Sequence, residues 1–321
     1  MSWINRFFKG NFKYYLATFS LILIFTFIIL EIILRSISYT SGVGIGSGNE
    51  RWNDKYWTPI NKFGYRDYEI LINDSRPSIV FLGDSFTAGH GVKFEETFFY
   101  SVRQSLDENY RAINLGRSGS STLQQKHNLS ELISKINPNI DTFVFQIFGN
   151  DVEDYVKFPK IHRSILRRGL SRVSDLFSLI DVFYIRKTWV QGYMDSLFLS
   201  HQNQTVMTKH LIDINSITSS VKKDGAKVIF LAIPFLSNND SLEKSEIYIS
   251  KLRENFINMC SDGDYFIDVS PMARNFNDSE RVVSLLDHHA SKELNFQIGL
   301  LLKRLLNNNL KEFDEGVIPC S

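Results

Sequence analysis

The chain has 321 residues, enough for one large α/β domain with a substantial core. Its 36 Lys and Arg balance 35 Asp and Glu, so no overall positive field points to nucleic acid as a partner. Its only two cysteines, Cys260 and Cys320, argue against a metal cluster or a framework of disulfides. In an oxidising compartment they could pair and fix the C-terminus, and the sequence leaves that pairing open.

An apolar segment near the N-terminus is long enough to cross a bilayer. Residues 16–34 are apolar with four exceptions, and at 1.5 Å per residue they span roughly 28 Å. We predict a transmembrane anchor over residues 14–37, after a cytoplasmic N-terminus of residues 1–13. The positive-inside rule supports this orientation because three basic residues precede the apolar run: Arg6, Lys9 and Lys13.

The alternative to an anchor is a cleaved signal peptide. Its apolar region is usually shorter and ends at a small-x-small site, for which only Ser36-Ile-Ser38 is available. We therefore predict an uncleaved signal-anchor in the cell membrane. The remainder of the chain would lie on the extracytoplasmic side, periplasmic or extracellular.

Residues 38–77 are predicted to be a tether and lead-in. The glycine-rich run 41–48 contains a G-x-G pattern, but no strand precedes it and no amphipathic helix follows directly, as a phosphate cradle would require. It is interpreted as a flexible connection. Residues 51–77 are aromatic and polar with little periodicity.

Strands and helices alternate from Ser78 onward, which indicates βαβ units, a parallel sheet and right-handed crossovers. The predicted strands are 78–83, 111–115, 141–148, 226–233 and 264–269. The predicted helices are 96–107, 121–136, 205–223, 242–259 and 291–310. Residues 152–204 interrupt the rhythm and are predicted to be a helical insertion over the carboxyl edge of the sheet, as a lid or a substrate-selecting cap. A tail of residues 311–321 ends the chain.

The first strand ends in a motif suited to nucleophilic catalysis. A buried run, Ile79–Leu82, stops at Gly83-Asp84-Ser85, so the serine hydroxyl would lie at the rim of the sheet. The following helix start offers backbone N–H groups that can stabilise an oxyanion. In the alternative interpretation, Asp84 or Ser85 merely caps a helix.

Three further polar clusters fall on the same predicted edge of the sheet. They are Asn114-Leu-Gly-Arg-Ser-Gly119, Phe148-Gly-Asn-Asp151 and Asp287-His-His-Ala-Ser291. With the serine motif, their order resembles the SGNH (GDSL-type) hydrolase superfamily of serine esterases and acyl-transfer enzymes, of the membrane-tethered bacterial type. The resemblance covers roughly residues 78–305, within a predicted domain of residues 78–310. It implies a flavodoxin-like three-layer α/β sandwich with a mostly parallel sheet of about five strands.

The resemblance also implies roles for single residues. Ser85 matches the nucleophile, His289 the general base, and Asp287 the residue that orients the imidazole. The oxyanion hole would combine the backbone N–H groups of Ser85 and Gly116 with the side chain of Asn150. Each match has a structural alternative: a turn glycine at 116, an Asx-turn at 150, and a helix-flanking histidine at 289.

The chain departs from the superfamily pattern at two places. Phe148 occupies a position that is usually glycine, and the final pair is spaced Asp-x-His where many members have Asp-x-x-His. His288 lies beside Asp287, but alternate residues of an extended segment share a face, so His289 is the better partner. The lead-in Asn61-Lys-Phe-Gly-Tyr-Arg-Asp67 is also similar to membrane-tethered members.

The leading hypothesis is a membrane-anchored hydrolase acting on ester bonds, with O-acyl glycans as the expected substrate and acyl transfer as a possible outcome. Lipid esters are the nearest alternative, and a non-catalytic tethered binding module is another. A metal-dependent phosphoesterase would explain Asp287-His-His289 as a metal motif, with Asp84 and Asp151 as further ligands. No cofactor, metal or nucleic acid is predicted, and the sequence leaves the oligomeric state open.

Overall fold

One central sheet organises the protein, and the computed structural model describes residues 2–37, 47–158, 164–284, 287–307 and 315–320. The strands of that sheet are β1 (Ser78–Leu82), β2 (Arg111–Asn114), β3 (Ile140–Phe148), β4 (Lys227–Ile233), β5 (Tyr265–Asp268) and β8 (Val317–Pro319). A separate antiparallel hairpin consists of β6 (Val282–Ser284) and β7 (Asp287–Ala290).

The strand order is β2-β1-β3-β4-β5-β8, and the first five strands are parallel. That order is the flavodoxin-like one, whose topological switch point lies between β1 and β3. The predicted α/β fold is confirmed. All five predicted strands are present, each with bounds that agree to within two residues.

The edge of the sheet corrects the sequence-based picture in one respect. A sixth strand, β8, pairs antiparallel with β5, where about five strands were expected. Cys320 follows β8 and is disulfide-bonded to Cys260, with 5.8 Å between the two Cα atoms. The pairing that the sequence left open is therefore made, and it attaches the end of the chain to the sheet edge.

Helices cover both faces of the sheet and complete three layers. The α-helices of the described residues are α1 (Ser2–Ile37), α2 (Ser47–Tyr56), α3 (Ser85–Ala88), α4 (Phe98–Arg103), α5 (Thr122–Ile136), α6 (Ile165–Val173), α7 (Asp175–Ile185), α8 (Gln191–Gln202), α9 (Gln204–Lys222), α10 (Asn239–Met259), α11 (Ser270–Arg274), α12 (Asp278–Arg281) and α13 (Lys292–Leu306). One apolar core lies between the sheet and α5, α9 and α10, and a second lies between the sheet and α4 and α13. Because both faces of β1 and β3 are buried, their sequences are almost continuously apolar.

Helix α1 is the apolar N-terminal segment. Its stretch Lys13–Ser36 is long and apolar enough to cross a membrane, and none of that window is buried against the rest of the protein. The glycine-rich tether lies largely in residues 38–46, outside the described residues. Residues 47–56, within the predicted tether and lead-in, form α2.

The insertion predicted over residues 152–204 is mostly helical where it is described, apart from residues 156–158 and single residues between the helices. A 3-10 helix (Gly149–Tyr155) follows β3, and a π-helical turn (Arg186–Val190) joins α7 to α8. Helix α8 packs on that 3-10 helix and on α9 and α10, while α7 contacts α1 and α2. The insertion thus joins the edge of the sheet to the N-terminal helix.

Candidate active site

The turn after β1 is fixed by a glycine and two polar side chains. A Cβ on Gly83 would lie 2.2 Å from Thr87 Oγ1 and 2.3 Å from Gln146 Oε1, so no larger residue fits there. Asp84 accepts a hydrogen bond from the Phe86 N–H and caps α3. Ser85 is therefore the first residue of that short helix, at the carboxyl end of β1, where the sequence predicts it.

Hairpin β6–β7 brings the predicted base and its carboxylate to Ser85. His289 Nε2 lies 2.7 Å from Ser85 Oγ, and His289 Nδ1 lies 2.5 Å from Asp287 Oδ1. The Asp287 carboxylate is buried and also accepts the His289 backbone N–H at 3.1 Å. His288 points away and is exposed, as the alternation along β7 requires.

A second histidine, which the sequence analysis did not single out, lies against this group. The ring centroids of His90 and His289 are 4.6 Å apart, and His90 Nε2 is 3.8 Å from Asp287 Oδ2. Burial, followed by the charge of His289, lowers the pKa of His90 to about 4. A neutral His90 covers one side of the His289–Asp287 pair and does not compete with His289 for an ion pair with Asp287.

Gly116, a predicted oxyanion-hole residue, packs directly on the helix that carries Ser85. A Cβ at this position would lie 2.3 Å from the Ala88 backbone nitrogen, which explains the glycine. Its own N–H donates to Asn114 Oδ1 at 2.7 Å. Asn114 Nδ2 in turn donates to the Thr87 carbonyl, so the end of β2 is attached to α3.

Asn150, the third predicted member of the hole, follows a turn at the end of β3 that is held at two carbonyls. His201 Nε2 lies 2.8 Å from Gly149 O, and Tyr248 Oη donates to Phe148 O at 3.0 Å. The His201 and Tyr248 rings are stacked, with centroids 4.7 Å apart. Asn150 Oδ1 is buried without a hydrogen-bond partner among the described residues.

Phe148, one of the two departures from the motif pattern noted in the sequence, packs between two other aromatic rings. Its ring lies 4.7 Å from that of Phe86, next to Ser85, and 4.8 Å from that of Phe235. A Cβ on Gly149 would be 2.4 Å from the Phe235 ring, so a larger residue at 149 would require that ring to shift. The turn that precedes Asn150 is therefore closely packed around Phe148 and Gly149.

Two buried carboxyl groups lie behind the turn. Asp151 accepts the Phe148 N–H and a hydrogen bond from Gln125 Nε2, at 2.9 and 2.8 Å. Burial, and then the nearby charge of Asp84, raise the pKa of Asp151 well above its ordinary value. Burial also raises the pKa of Asp84 to about 6. Both oxygens of Asp151 accept local hydrogen bonds, whereas Asp84 accepts one through Oδ1 and its Oδ2 is buried without a hydrogen-bond partner among the described residues.

The lead-in motif before β1 fixes the loop after α3. The fully buried Arg66 donates hydrogen bonds to the carbonyl oxygens of Ala88, Gly89 and Val92. Asp67 accepts from Arg103 and from the Asn114 N–H. The sequence marked this motif without a role, and the structure assigns it the support of the loop that carries His90.

Two of the three described side chains that could hold a cation belong to the Ser–His–Asp group, and the third is the neighbouring His90. Among the described residues, His90, Asp287 and His289 present ligand atoms within 4.8 Å of one another. His288, which the metal-motif interpretation needs, is exposed on the other face of β7. The donor set is therefore a poor fit to a metal site built from Asp287-His-His289.

A hydroxyl, an imidazole and a carboxylate in one hydrogen-bonded chain, at the carboxyl edge of a flavodoxin-like sheet, have the arrangement that serine hydrolases use. No family model and no curated protein matches the chain. Solved structures similar to it include TesA, at 13% identity over 73% of this chain and 99% of that one, with a TM-score of 0.47.

Two further structures resemble the chain to a similar degree. A lipolytic protein of the G-D-S-L family from Desulfitobacterium hafniense is 12% identical over 72% of this chain and 99% of that one, with a TM-score of 0.45. Est24, a carbohydrate acetylesterase from Sinorhizobium meliloti, is 15% identical over 73% and 100%, with a TM-score of 0.42. The superfamily predicted from the sequence is thus represented among the structures that this chain resembles.

Proposed function

We propose that the protein is a serine-dependent hydrolase of ester bonds, and the hydrogen-bonded chain Ser85–His289–Asp287 carries the proposal. His289 Nε2, 2.7 Å from Ser85 Oγ, takes the hydroxyl proton as the oxygen attacks the ester carbonyl. Asp287 holds the imidazole through Nδ1–H and balances the positive charge that forms on it. The proton then passes to the leaving alcohol, and an acyl group remains on Ser85.

The second half of the reaction releases that acyl group. His289 takes a proton from water, which attacks the acyl-enzyme, and then returns the proton to Ser85. A sugar hydroxyl in place of water would make the same enzyme an acyltransferase. Both outcomes use one acyl-enzyme, so the proposal covers hydrolysis first and transfer as its variant.

The three proposed donors of the oxyanion hole differ in whether they already donate a hydrogen bond within the protein. Among the described residues, neither the Ser85 N–H nor Asn150 Nδ2 donates a hydrogen bond, whereas the Gly116 N–H is already donated to Asn114. Ser85 and Asn150 are therefore proposed as the principal donors to the developing negative charge. Gly116 contributes when its N–H turns from Asn114 toward the substrate oxygen.

The proposed location follows from α1 and the disulfide. An anchor over residues 14–37, with residues 1–13 in the cytoplasm, puts the hydrolase domain 78–310 outside the membrane. A Cys260–Cys320 bridge suits an oxidising compartment. Esters exposed there include O-acyl groups of envelope glycans, which we propose as the substrate class.

A serine-directed fluorophosphonate probe tests the proposal on the full chain in detergent. The wild type is expected to be labelled, and Ser85→Ala is expected to lose labelling together with hydrolysis of an aryl acetate. Ser120→Ala is the matched control, because it removes a buried serine hydroxyl that lacks a hydrogen-bond partner among the described residues. Hydrolysis that continues unchanged in Ser85→Ala would disprove the proposal, and absent labelling of folded wild type would favour a binding module.

Acyl-chain preference separates the two substrate classes. Aryl acetate cleaved faster than long-chain aryl esters supports an O-acetyl glycan substrate, while the reverse preference supports a lipid ester. Activity that survives Ser85→Ala but is lost on chelation would instead revive the metal-dependent phosphoesterase.

A further inference from the structure

Helix α7 exposes a wholly apolar side, whereas its buried side combines Val182 and Ile185 with polar residues, and a surface helix of a soluble core normally exposes a polar side. The side chains of Asp175 and Asp181 are buried, whereas Ile180, Phe183 and Tyr184 are each more than half exposed. Isolated exposed apolar residues are common, but here they form one face of one helix. This face needs an apolar environment that the described part of the chain does not supply.

The polar side of α7 is satisfied by ion pairs inside the protein. Asp175 is paired with Arg51 of α2, and Asp181 is paired with Arg167 of α6. The Arg167 guanidinium also lies 4.2 Å from the centre of the Tyr184 ring. Because buried charges are costly unless paired, these contacts fix which side of α7 faces inward.

The outward side of α7 adjoins the apolar helix α1. Glu31, near the C-terminal end of the apolar stretch, accepts hydrogen bonds from Ser174 Oγ and from the N–H groups of Asp175 and Leu176, at 2.7, 3.0 and 3.1 Å. The rings of Phe27 and Phe177 are 5.7 Å apart. The start of α7 is therefore capped by a side chain of the predicted membrane span.

Helix α6 extends the same surface. Ile165, Leu166 and Val173 are 82%, 71% and 66% exposed, and Arg35 of α1 donates to the Val173 carbonyl at 2.7 Å. Exposed basic residues accompany this apolar surface: Arg168, Arg172 and Lys187. Apolar side chains beside basic ones, on helices attached to the end of an apolar span, match the layering of acyl chains and headgroup phosphates.

We propose that α6 and α7 lie in the interface of the bilayer that α1 crosses, with Phe183 and its apolar neighbours at the boundary of the acyl chains. The occupant of this surface is lipid, because the surface is continuous with α1 and begins where α1 ends. Basic side chains at its margin reach the phosphates. The proposal concerns attachment to the membrane and is independent of the ester chemistry.

The test uses the full chain in lipid nanodiscs with a single added thiol that carries an environment-sensitive fluorophore. The two native cysteines are bonded to each other, so the added thiol takes the label. Phe183→Cys reports on the proposed interface. Ile257→Cys on α10, 59% exposed against 57% for Phe183, is the matched control, and Ile180→Cys is a second probe should one variant fold poorly.

Phosphatidylcholine brominated near the headgroup end of its acyl chains is expected to quench the Phe183 and Ile180 probes, while aqueous iodide does not. The Ile257 probe is expected to respond in the opposite way. Probes at 183 and 180 that iodide quenches and bromines do not would overturn the proposal. Shielding from both quenchers would also overturn it, since it would indicate a second copy of the chain or another protein on this surface.

Discussion

The two groups that hold the Phe148–Gly149 turn provide the sharpest test of how the site works. Tyr248→Phe removes only the hydroxyl that donates to Phe148 O, and His201→Leu removes the ring nitrogen that bonds Gly149 O. Asn150 follows this turn directly, so loosening it displaces a proposed oxyanion donor. Neither residue touches the Ser–His–Asp group, which makes both of them positioning residues.

The size of the effect follows from the hydrogen bonds. A neutral hydrogen bond is worth about 1 kcal/mol net, so Tyr248→Phe is expected to lower kcat about fivefold if the whole loss appears in the placement of Asn150. The double variant Tyr248→Phe with His201→Leu is expected to lose about 2 kcal/mol, or about thirtyfold. Complete loss of an oxyanion donor, as in Asn150→Ala, sets the upper limit at ~10²–10³.

Steady-state hydrolysis of a small aryl acetate, with urea unfolding in parallel, separates positioning from stability. Tyr65→Phe is the control, because its buried hydroxyl has no hydrogen-bond partner among the described residues, and it should leave kcat unchanged. His201→Gln, which keeps a donor, should restore part of the loss. A Tyr248→Phe protein that unfolds more easily but retains the wild-type kcat would refute the positioning role.

Three further predictions concern the fold around the site. The double variant Cys260→Ser with Cys320→Ser opens a loop with a sequence separation of 60. It should lower the free energy of unfolding in urea titrations by about 4 kcal/mol. Reductant should reproduce this loss in the wild type and have no further effect on the double variant. Gly83→Ala should abolish activity and lower the free energy of unfolding by about 1–3 kcal/mol or more, because the added methyl group clashes with its neighbours. Gly192→Ala, in open space on a helix, should raise the free energy of unfolding by about 1 kcal/mol in the same urea titration. Burial lowers the pKa of His210 to about 3, so the free energy of unfolding of the wild type should fall as the pH falls from 6.5 toward 3. The free energy of unfolding of His210→Gln should fall less over the same range. An equal dependence on pH in the two proteins would contradict this prediction.

The parallel core of this fold could be predicted from the sequence because its strands are buried on both faces. Runs such as Ile79–Leu82 are apolar without interruption, and their bounds are correct to within two residues. Strand β8 has only three residues and lies at an edge, where it depends on pairing with β5 and on the disulfide. Such long-range contacts leave no periodic signal, which is why this strand was missed.

The candidate site likewise contains residues that a sequence motif reveals and residues that only tertiary packing places. Parallel strands bring their carboxyl ends to one edge, so the motifs that contain Ser85 and Asn150 could be assigned to the same edge by topology alone. His90, His201 and Tyr248 are single residues without a motif, placed by tertiary packing. Only the lead-in that contains Arg66 and Asp67 gave a signal, and its role became apparent from the carbonyl groups that Arg66 binds.

The insertion joins two features that the sequence presents as unrelated, the apolar N-terminal helix and the turn that carries Asn150. Its helix α7 is capped by Glu31 of α1, and its last helix carries His201, which binds the Gly149 carbonyl. Between them, α7 continues through a π-helical turn into α8 without an intervening loop. Helical segments joined end to end transmit displacement better than a loop does. The attachment of α6 and α7 to the bilayer would therefore fix the height of the oxyanion turn above the membrane, and favour esters presented close to its surface.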